Sequence, residues 1–552
     1  MTVAHTRSSS GWTCVLALMA GAVGCGNTSG NGFPIGPGGP DGSVVVADSG
    51  STADGSIKLD TGGDGGKLKT GSGGDSGTTT VVNTCPNGES TTVTGTVYDP
   101  AGRNPIYNVE VYIPAVPLTE LPKGVPTGAD SCSCGALFPS AAYASASTKV
   151  DGTFELQNVP AGMQTLVLQI GKWRRVLTIN IANKCGPNAI TEKLTLPGTI
   201  AAGDTQNNMP DIAVSTGGSD SLECLLLRMG VASSEYVAGT STAGHVHIFS
   251  GGDTTGMSTG RTGKPEKYPM ASAPESSTSL WASKAQLMPF DITLLSCEGG
   301  ETYNANPQAL EDYLNAGGRA FASHYHYSWF SGPNLSGGSG QTYLSPLPAD
   351  YGTNGATLGT WTANGTSGGL SSDIGASVVT TLNPGPGTFT KGQTLETWLG
   401  ESPVSALGQG GVSATDLSIY QPRYNVVVGA SNPYSQPWFT SATGTPGQTM
   451  YFSFDTPLAG IPGDGGSKNY CGRAVFADMH VGGDTAVNTD SVNGGGGFGS
   501  SGSPPPAGCD NTDLSPQEKA LEFMLFDLSS CVTLDSKPIP DAGQVVIGGP
   551  PK

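Results

Sequence analysis

Between residues 208 and 330 short, almost wholly apolar runs alternate with segments of helical period, and no other feature restricts the fold as much. DIAVS, HVHIFSGG, FDITLLSCEGG and RAFASHYH carry the apolar runs and read as strands; LECLLLRMG, STSLWASKAQLM and NANPQALEDYLNAGG lie between or beside them. Strands that are apolar at successive positions must be covered on both faces, so a largely parallel sheet with helices on either side is expected. In NANPQALEDYLNAGG, Asn306 can cap, Pro307 suits the first helical position and Gly317 ends the helix. YNVVVGAS, MYFSFDT and RAVFADMHV return to strand patterns. LSPQEKALEFMLFDL closes as an amphipathic helix, with Ser515 and Glu518 forming a capping box around Pro516. The α/β domain is thus expected over 208–533, with a Gly- and Ser-rich loop insertion at about 331–420.

Residues 83–200 read differently. STTVTGTVYD and YNVEVYIP alternate with period two, and KVDGTFELQNV, TLVLQIGKW and RRVLTINIA follow, bounded by Gly, Pro or Asn. Asp151-Gly152 is a hairpin signal of the type I′ kind, which needs positive φ at both central residues. An all-β domain is expected here.

The N-terminus bears on compartment. His5 and Arg7 precede an apolar stretch from Trp12 to Val23, too short for a permanent bilayer span but suited to a secretory signal. Ala22-Val23-Gly24-Cys25 resembles a bacterial lipobox, which implies lipidation of Cys25 and anchoring to the cell-envelope membrane; an ordinary secretory signal is the alternative. The segment 26–82 is dominated by Gly, Ser, Thr and Asp and reads as a disordered tether, and 534–552 as a disordered tail. Export makes disulfides the expected state of the cysteines. Beyond Cys25 these are Cys85, Cys132, Cys134, Cys185, Cys224, Cys297, Cys471, Cys509 and Cys531, an odd set that leaves one thiol over. The first four fall in one segment and the last five in another, so pairing within two separate domains is expected.

VTGTVYDPAGRNPIYNVEVYIP followed by TKVDGTFELQNVPAGMQTLVLQI resembles the carboxypeptidase regulatory-like domain, through Gly95, Val97, Asp99, Gly102, Asp151-Gly152-Thr153-Phe154 and Pro160-Ala161-Gly162. The stretch holding Cys132 and Cys134 is an insertion in that pattern. The resemblance implies a seven-stranded, Ig-like, non-catalytic sandwich. DIAVS into TGG, FDITLLSCEGG, an Asn-Pro helix into GGRAFASHYH, and a late GRAVFADMHV look like the class I glutamine amidotransferase-like, flavodoxin-like fold, in its ThuA-like branch. The resemblance covers roughly 208–330 and 450–530. Amidotransferases carry a cysteine where this chain has His324, as ThuA-like proteins also do, so their Cys-His-Glu set is not implied. The first loop departs too: Ser219, Asp220 and Ser221 stand where ThuA-like proteins tend to have histidine.

The chain has only 6 histidines. Residues two apart on a strand face the same way, so His324 can converge with His326, and Asp478 with His480. Both pairs fall at carboxyl ends of expected strands, where open α/β sheets keep their ligand crevices. Three imidazoles and a carboxylate suit a divalent transition metal such as zinc or iron, with Glu298 or Glu301 as an acid-base group. The plain reading is that Tyr325, Tyr327 and Trp329 line an aromatic crevice in which the imidazoles are merely hydrogen-bonded. Cys297, on a tight strand-to-helix turn, is either a nucleophile near His324 or, as favoured in an exported protein, a disulfide with Cys224 as partner. His245 and His247 open their strand and are read as structural. Gly217 and Gly218 are read as a helix-entry turn.

With 25 Lys and Arg against 44 Asp and Glu the formal charge is −19, which argues against a nucleic-acid partner, because phosphate neutralisation needs a basic face and the sequence shows none. Two function classes stay open: an envelope-anchored binding or structural protein, its crevice holding a glycan or meeting an envelope protein, and a metal-dependent enzyme on a carbohydrate-type substrate. The first is favoured by the low charge, the large insertions and the altered first loop.

Overall fold

The computed structural model describes residues 85–535 except 129–130, 133–136, 140, 218–219, 252–274, 299–300, 303, 333–345, 363–372, 421, 463–467 and 481–512. The signal and lipobox with Cys25, the tether, Cys134, Cys509 and the tail beyond Asp535 lie outside the described residues. The fold is β-rich and multi-sheeted.

Residues 92–195 form two four-stranded sheets. In one, β1 (Thr92–Tyr98) pairs antiparallel with β4 (Thr153–Leu156) and parallel with β7 (Pro187–Ala189) and β8 (Leu194–Thr195). In the other the order is β3 (Ala142–Ser147), β2 (Glu110–Pro114), β5 (Gly162–Ile170), β6 (Trp173–Ile181). Alternate residues of both, among them Val93, Val97, Val111, Ile113, Leu166 and Leu168, share one core. The Asp151-Gly152 turn forms, but it is not a type I′ hairpin. Only Gly152 has positive φ (+74°), and the turn carries the chain from one sheet to the other, because β3 and β4 belong to different sheets. A Cβ on Gly152 would stand 2.6 Å from the Val97 carbonyl, so the crossing needs glycine.

The remaining chain builds a ten-stranded sheet. Its first strands are β9 (Ile212–Ser215), β10 (Tyr236–Ala238), β11 (Val246–Phe249), β12 (Ile292–Leu295) and β13 (Arg319–Ser323). They are joined by β15 (Ile374–Val378), β16 (Asp416–Ile419), β18 (Ser435–Ser441), β19 (Thr449–Thr456) and β22 (Gly472–Ala477), in the spatial order 10-11-9-12-13-22-19-18-15-16. β14 (Thr360–Trp361) with β17 (Val426–Val427), and β20 (Ile461–Pro462) with β21 (Lys468–Asn469), are separate two-stranded ladders. From β10 to β22 the pairings are parallel; from β22 outward they are antiparallel. The expectation of a largely parallel sheet therefore holds for one half only. The Gly- and Ser-rich insertion is not a mere loop, since it supplies β15, β16 and α6 (Thr390–Gly400). Small residues hid these strands: IGASV is short of apolar bulk, yet Ile374, Gly375 and Ala376 are buried. YNVVVGAS contributes only β17, off the main sheet.

Helices cover both faces. α1 (Leu222–Arg228), α6 and α7 (Pro516–Ser529) share a core with Ile212, Val214, Ile248 and Leu294. α2 (Ser277–Leu280), α3 (Lys284–Leu287), α4 (Pro307–Asn315) and α5 (Ser328–Ser331) share another with Ala213, Phe249, Leu295 and Ala322. STSLWASKAQLM thus forms two single turns instead of one helix. The caps read from sequence are in place: Asn306 Oδ1 accepts from Ala309 N (3.2 Å), and Ser515 and Glu518 form the capping box.

α7 corrects an expectation. The sequence reads as an amphipathic helix, but every side chain from Gln517 to Leu528 is buried. The sandwich covers its other side: Tyr107 stacks on Phe523 (centroids 4.9 Å), Trp173 meets Phe526 (5.8 Å), and the cores of sandwich and sheet are one cluster. Charges buried by this must be paired. Glu518 binds Arg228, Asp527 lies 2.7 Å from Lys391 and 2.9 Å from Arg473, and Asn104 Nδ2 donates to Glu522 (2.7 Å).

The cysteine pairing is corrected as well. Cys85–Cys185 stays within the sandwich, but Cys132–Cys471 joins the segment between β2 and β3 to the turn before β22. Cys224 and Cys531 are disulfide-bonded and Cys297 is not, so Cys224 is not its partner. Asp535, assigned to the tail, is held by Arg473 at 2.8 Å.

Candidate functional site at the carboxyl ends of β9, β12, β13 and β22

Strand order makes the crevice. After β9 the chain passes over one face through α1 to β10 and β11, then crosses the other face through α2 and α3 to β12, on the far side of β9. The switch between β9 and β12 leaves a gap beyond their carboxyl ends. Register brings the neighbours level: Leu295 pairs with Ser215 and Ala322, and Ser323 with Ala477. Residues that follow each strand therefore meet.

Cys297 follows β12, and its Sγ lies 3.4 Å from Nδ1 of His324, which follows β13. His480, beyond β22, sets its ring 4.8 Å from that of His324, edge to face. The ligating atoms of Cys297, His324 and His480 lie within 4.8 Å of one another, and all three side chains are buried. His324 takes φ +40°, a left-handed conformation that non-glycine residues adopt at a cost, and this turns its ring toward Cys297.

A polar frame fixes these groups. Asp220 Oδ1 lies 3.1 Å from His480 Nδ1, and its Oδ2 accepts from Ser323 Oγ (2.5 Å). Ser323 Oγ in turn accepts from the Cys297 N–H (3.0 Å). The first loop approaches closely: a Cβ on Gly217 would stand 2.2 Å from the Cys297 carbonyl, which gives the TGG turn a reason beyond helix entry. The Gln517 side chain donates to the His480 carbonyl, tying α7 to the site. With Asp220 on Nδ1, the His480 ring can present Nε2 to Cys297 and His324. Burial, then the neighbouring His480 and Arg423, hold His324 well below the usual imidazole range, so it is neutral.

Two residues expected here turn elsewhere. β13 stops at Ser323 and residues His324–Tyr327 form a 3-10 turn, so period-two alternation does not apply. His326 Nδ1 lies 3.2 Å from the Ser323 carbonyl, with its ring toward Trp329, and burial lowers its pKa to about 4. Asp478 Oδ2 accepts from the N–H groups of Asn425 (2.5 Å) and Val426 (3.1 Å), and its carbonyl accepts from Arg423 N (2.8 Å). Asp478 thus positions the segment that carries Arg423, a buried cation whose electrostatic neighbours include Cys297, Asp478, Tyr325 and Asp220. Desolvation pushes the Asp478 carboxyl up to about 7.

The aromatic crevice is also corrected. The same 3-10 and helical turn drives Tyr327 and Trp329 into the core, where Trp329 packs edge-on against Trp281 and donates to Thr302 Oγ1 (3.0 Å). Tyr325 stays partly exposed, its ring 4.0 Å from that of His324. Glu301 accepts from the Tyr327 hydroxyl, while Glu298, next to Cys297, is buried. His245 and His247 sit at the opposite, amino-terminal edge, 2.6 Å from Glu235 and 3.4 Å from Asp211.

No family model matches the chain, and no curated protein matches it. Solved structures that do match include two type II cohesin–X-dockerin complexes of Acetivibrio cellulolyticus, a C-terminal and an N-terminal interface mutant. They cover 27% of this chain and 78% of theirs, at 17% and 18% identity, with TM-scores of 0.13 and 0.12. Likeness at that level carries no argument, and the site stands on its own geometry.

Proposed function

We propose that the chain is an exported, envelope-tethered metalloenzyme whose metal ligands are Cys297, His324 and His480. The observation that carries the reading is the convergence of one thiol and two imidazoles within 4.8 Å at the sheet's switch point, with Asp220 behind His480. A thiolate and two neutral imidazoles suit zinc, and three protein ligands leave a position for water or a substrate oxygen. An ion there would act as a Lewis acid. The carboxylate on the outer nitrogen of His480 is the usual support of a metal-bound histidine.

The rest of the reading is proposed with it. The parallel strands β9–β13 and β22 and their switch point favour a ThuA-like, glutamine amidotransferase-like α/β domain, and the two four-stranded sheets an Ig-like carboxypeptidase regulatory-like one. The disulfides favour an oxidising compartment, and the N-terminal sequence a lipid anchor at Cys25.

A second reading, a Cys297 nucleophile activated by His324, has the 3.4 Å contact and the nearby Arg423 in its favour. It is weaker because the Cys297 N–H already donates to Ser323 Oγ and is not free to stabilise an oxyanion. Elemental analysis of the purified full chain separates the two. We expect about one zinc per chain, lost in Cys297→Ser and His480→Ala but kept in His326→Gln. A metal-free wild type whose Cys297 is acylated by an activated ester would instead establish the nucleophile.

A further inference from the structure

At the opposite edge of the sheet, a groove of about 250 Å³ runs between the loop before β18 and the end of β19. It shares no residue with the Cys297 site. Phe454 and Leu458 are among its apolar lining, and Tyr434 and Tyr470 line it as well. Tyr434 is 40% exposed, one of few large hydrophobic side chains so placed among the described residues. Tyr470 is half-buried, with burial first and then Asp455, Asp535 and Tyr434 pushing its hydroxyl up, so it stays a neutral donor.

The polar lining points to a ligand. Ser435 is 1% exposed, lines the groove, and its Oγ has no hydrogen-bond partner among the described residues. An orphaned buried hydroxyl of this kind asks for a partner from outside the fold. Asp535 uses Oδ1 on Arg473 (2.8 Å), which leaves its second oxygen to accept. The frame is rigid: Asn383 Nδ2 reaches the carbonyls of Gly429, Asn432 and Ser435 at 3.2, 3.0 and 2.8 Å.

Charge decides the class. Asp455, Asp527 and Asp535 are matched by Arg473 and Lys391 in ion pairs, and by the buried Arg319 beside them. The groove has no net demand for a cation or an anion. It offers tyrosine faces to C–H surfaces and carboxylate and hydroxyl oxygens to hydroxyl groups. A proline-rich peptide would need fewer polar partners than this lining presents. We infer that the groove around Tyr434, Tyr470, Ser435 and Asp535 binds a neutral saccharide ring.

The test is titration of the full-length protein with cellobiose and with N,N′-diacetylchitobiose, followed by tyrosine fluorescence and saturation-transfer NMR. At least one should bind, with contacts mapped to Tyr434. Tyr434→Ala should weaken it about tenfold, the scale of one lost aromatic contact, while Tyr434→Phe retains it. Ser435→Ala should weaken it too, and Cys297→Ser should leave it unchanged, so that failure here is distinct from failure of the metal site. Binding of neither disaccharide, binding only of cationic glucosamine, or binding unaffected by Tyr434→Ala would overturn the assignment.

Discussion

Cys297 Sγ and His324 Nδ1 stand 3.4 Å apart although 27 residues separate them in the chain, because parallel strands in register end side by side. The contact depends on a strained backbone: His324 sits at φ +40°. Glycine adopts that conformation without the Cβ clash, so His324→Gly should unfold at higher urea than His324→Ala, by about 1 kcal/mol. Both variants should lose the metal. Equal stability of the two would mean that the turn relaxes when the imidazole is gone and that the site does not impose the strain.

Phe523 lies between the sandwich and the sheet, stacked on Tyr107 and 5.5 Å from Trp398. Phe523→Ala should cost about 3–5 kcal/mol, the usual range for a buried phenylalanine. Since one core runs through both parts, thermal unfolding of wild type and variant should show a single transition for the sandwich and the sheet together. Two separated calorimetric peaks would show that the sandwich unfolds alone.

Much of this arrangement is legible in the sequence. Near-continuous apolar runs identify β9, β11, β12, β13 and β22, and Asn306, Pro307, Ser515 and Glu518 mark helix starts. The rim that holds His324 and His480 follows from the same strand logic. What hid the rest is local geometry. A strand that stops at Ser323 instead of running on to His326 sends His326 and Trp329 inward, and nothing in FASHYHYSWF marks Ser323 as the last extended residue. Asp220 and Arg423 join the site only through tertiary approach, Asp220 over Gly217 and Arg423 through the Asp478 carbonyl. Cys297 in an exported chain resembles any other disulfide candidate until its neighbours are known.

The Cys132–Cys471 bridge closes 339 residues of chain. Such a link stabilises chiefly by restricting the unfolded state, and Cys132→Ser should lower stability by about 2–5 kcal/mol, read from urea unfolding of protein kept oxidised. The loss should not alter metal content, because Cys471 lies before β22 and His480, a ligand in the proposed site, beyond its other end. Coupled loss of both would mean that the bridge also sets the site.

Asp99 and Glu522 form a buried carboxyl pair between the sandwich and α7. Burial, the largest cause, pushes Asp99 up to about 6 and Glu522 well above the usual carboxylate range, with each group beside the other. Burial likewise pushes Glu110 and Glu311 up to about 7. A raised pKa means that the folded chain holds more protons than the unfolded one between the two values, so stability falls as pH rises across that window. The contribution is complete below about pH 4, near the unfolded carboxylate values, and is lost as pH rises through 6 to 7. Glu522→Gln keeps an acceptor for Asn104 and carries no charge at any pH. It should therefore lose less stability than wild type between pH 4.5 and 7 in urea titrations, and converge with it in acid. A variant whose stability falls as steeply as wild type would place the pH dependence outside this interface.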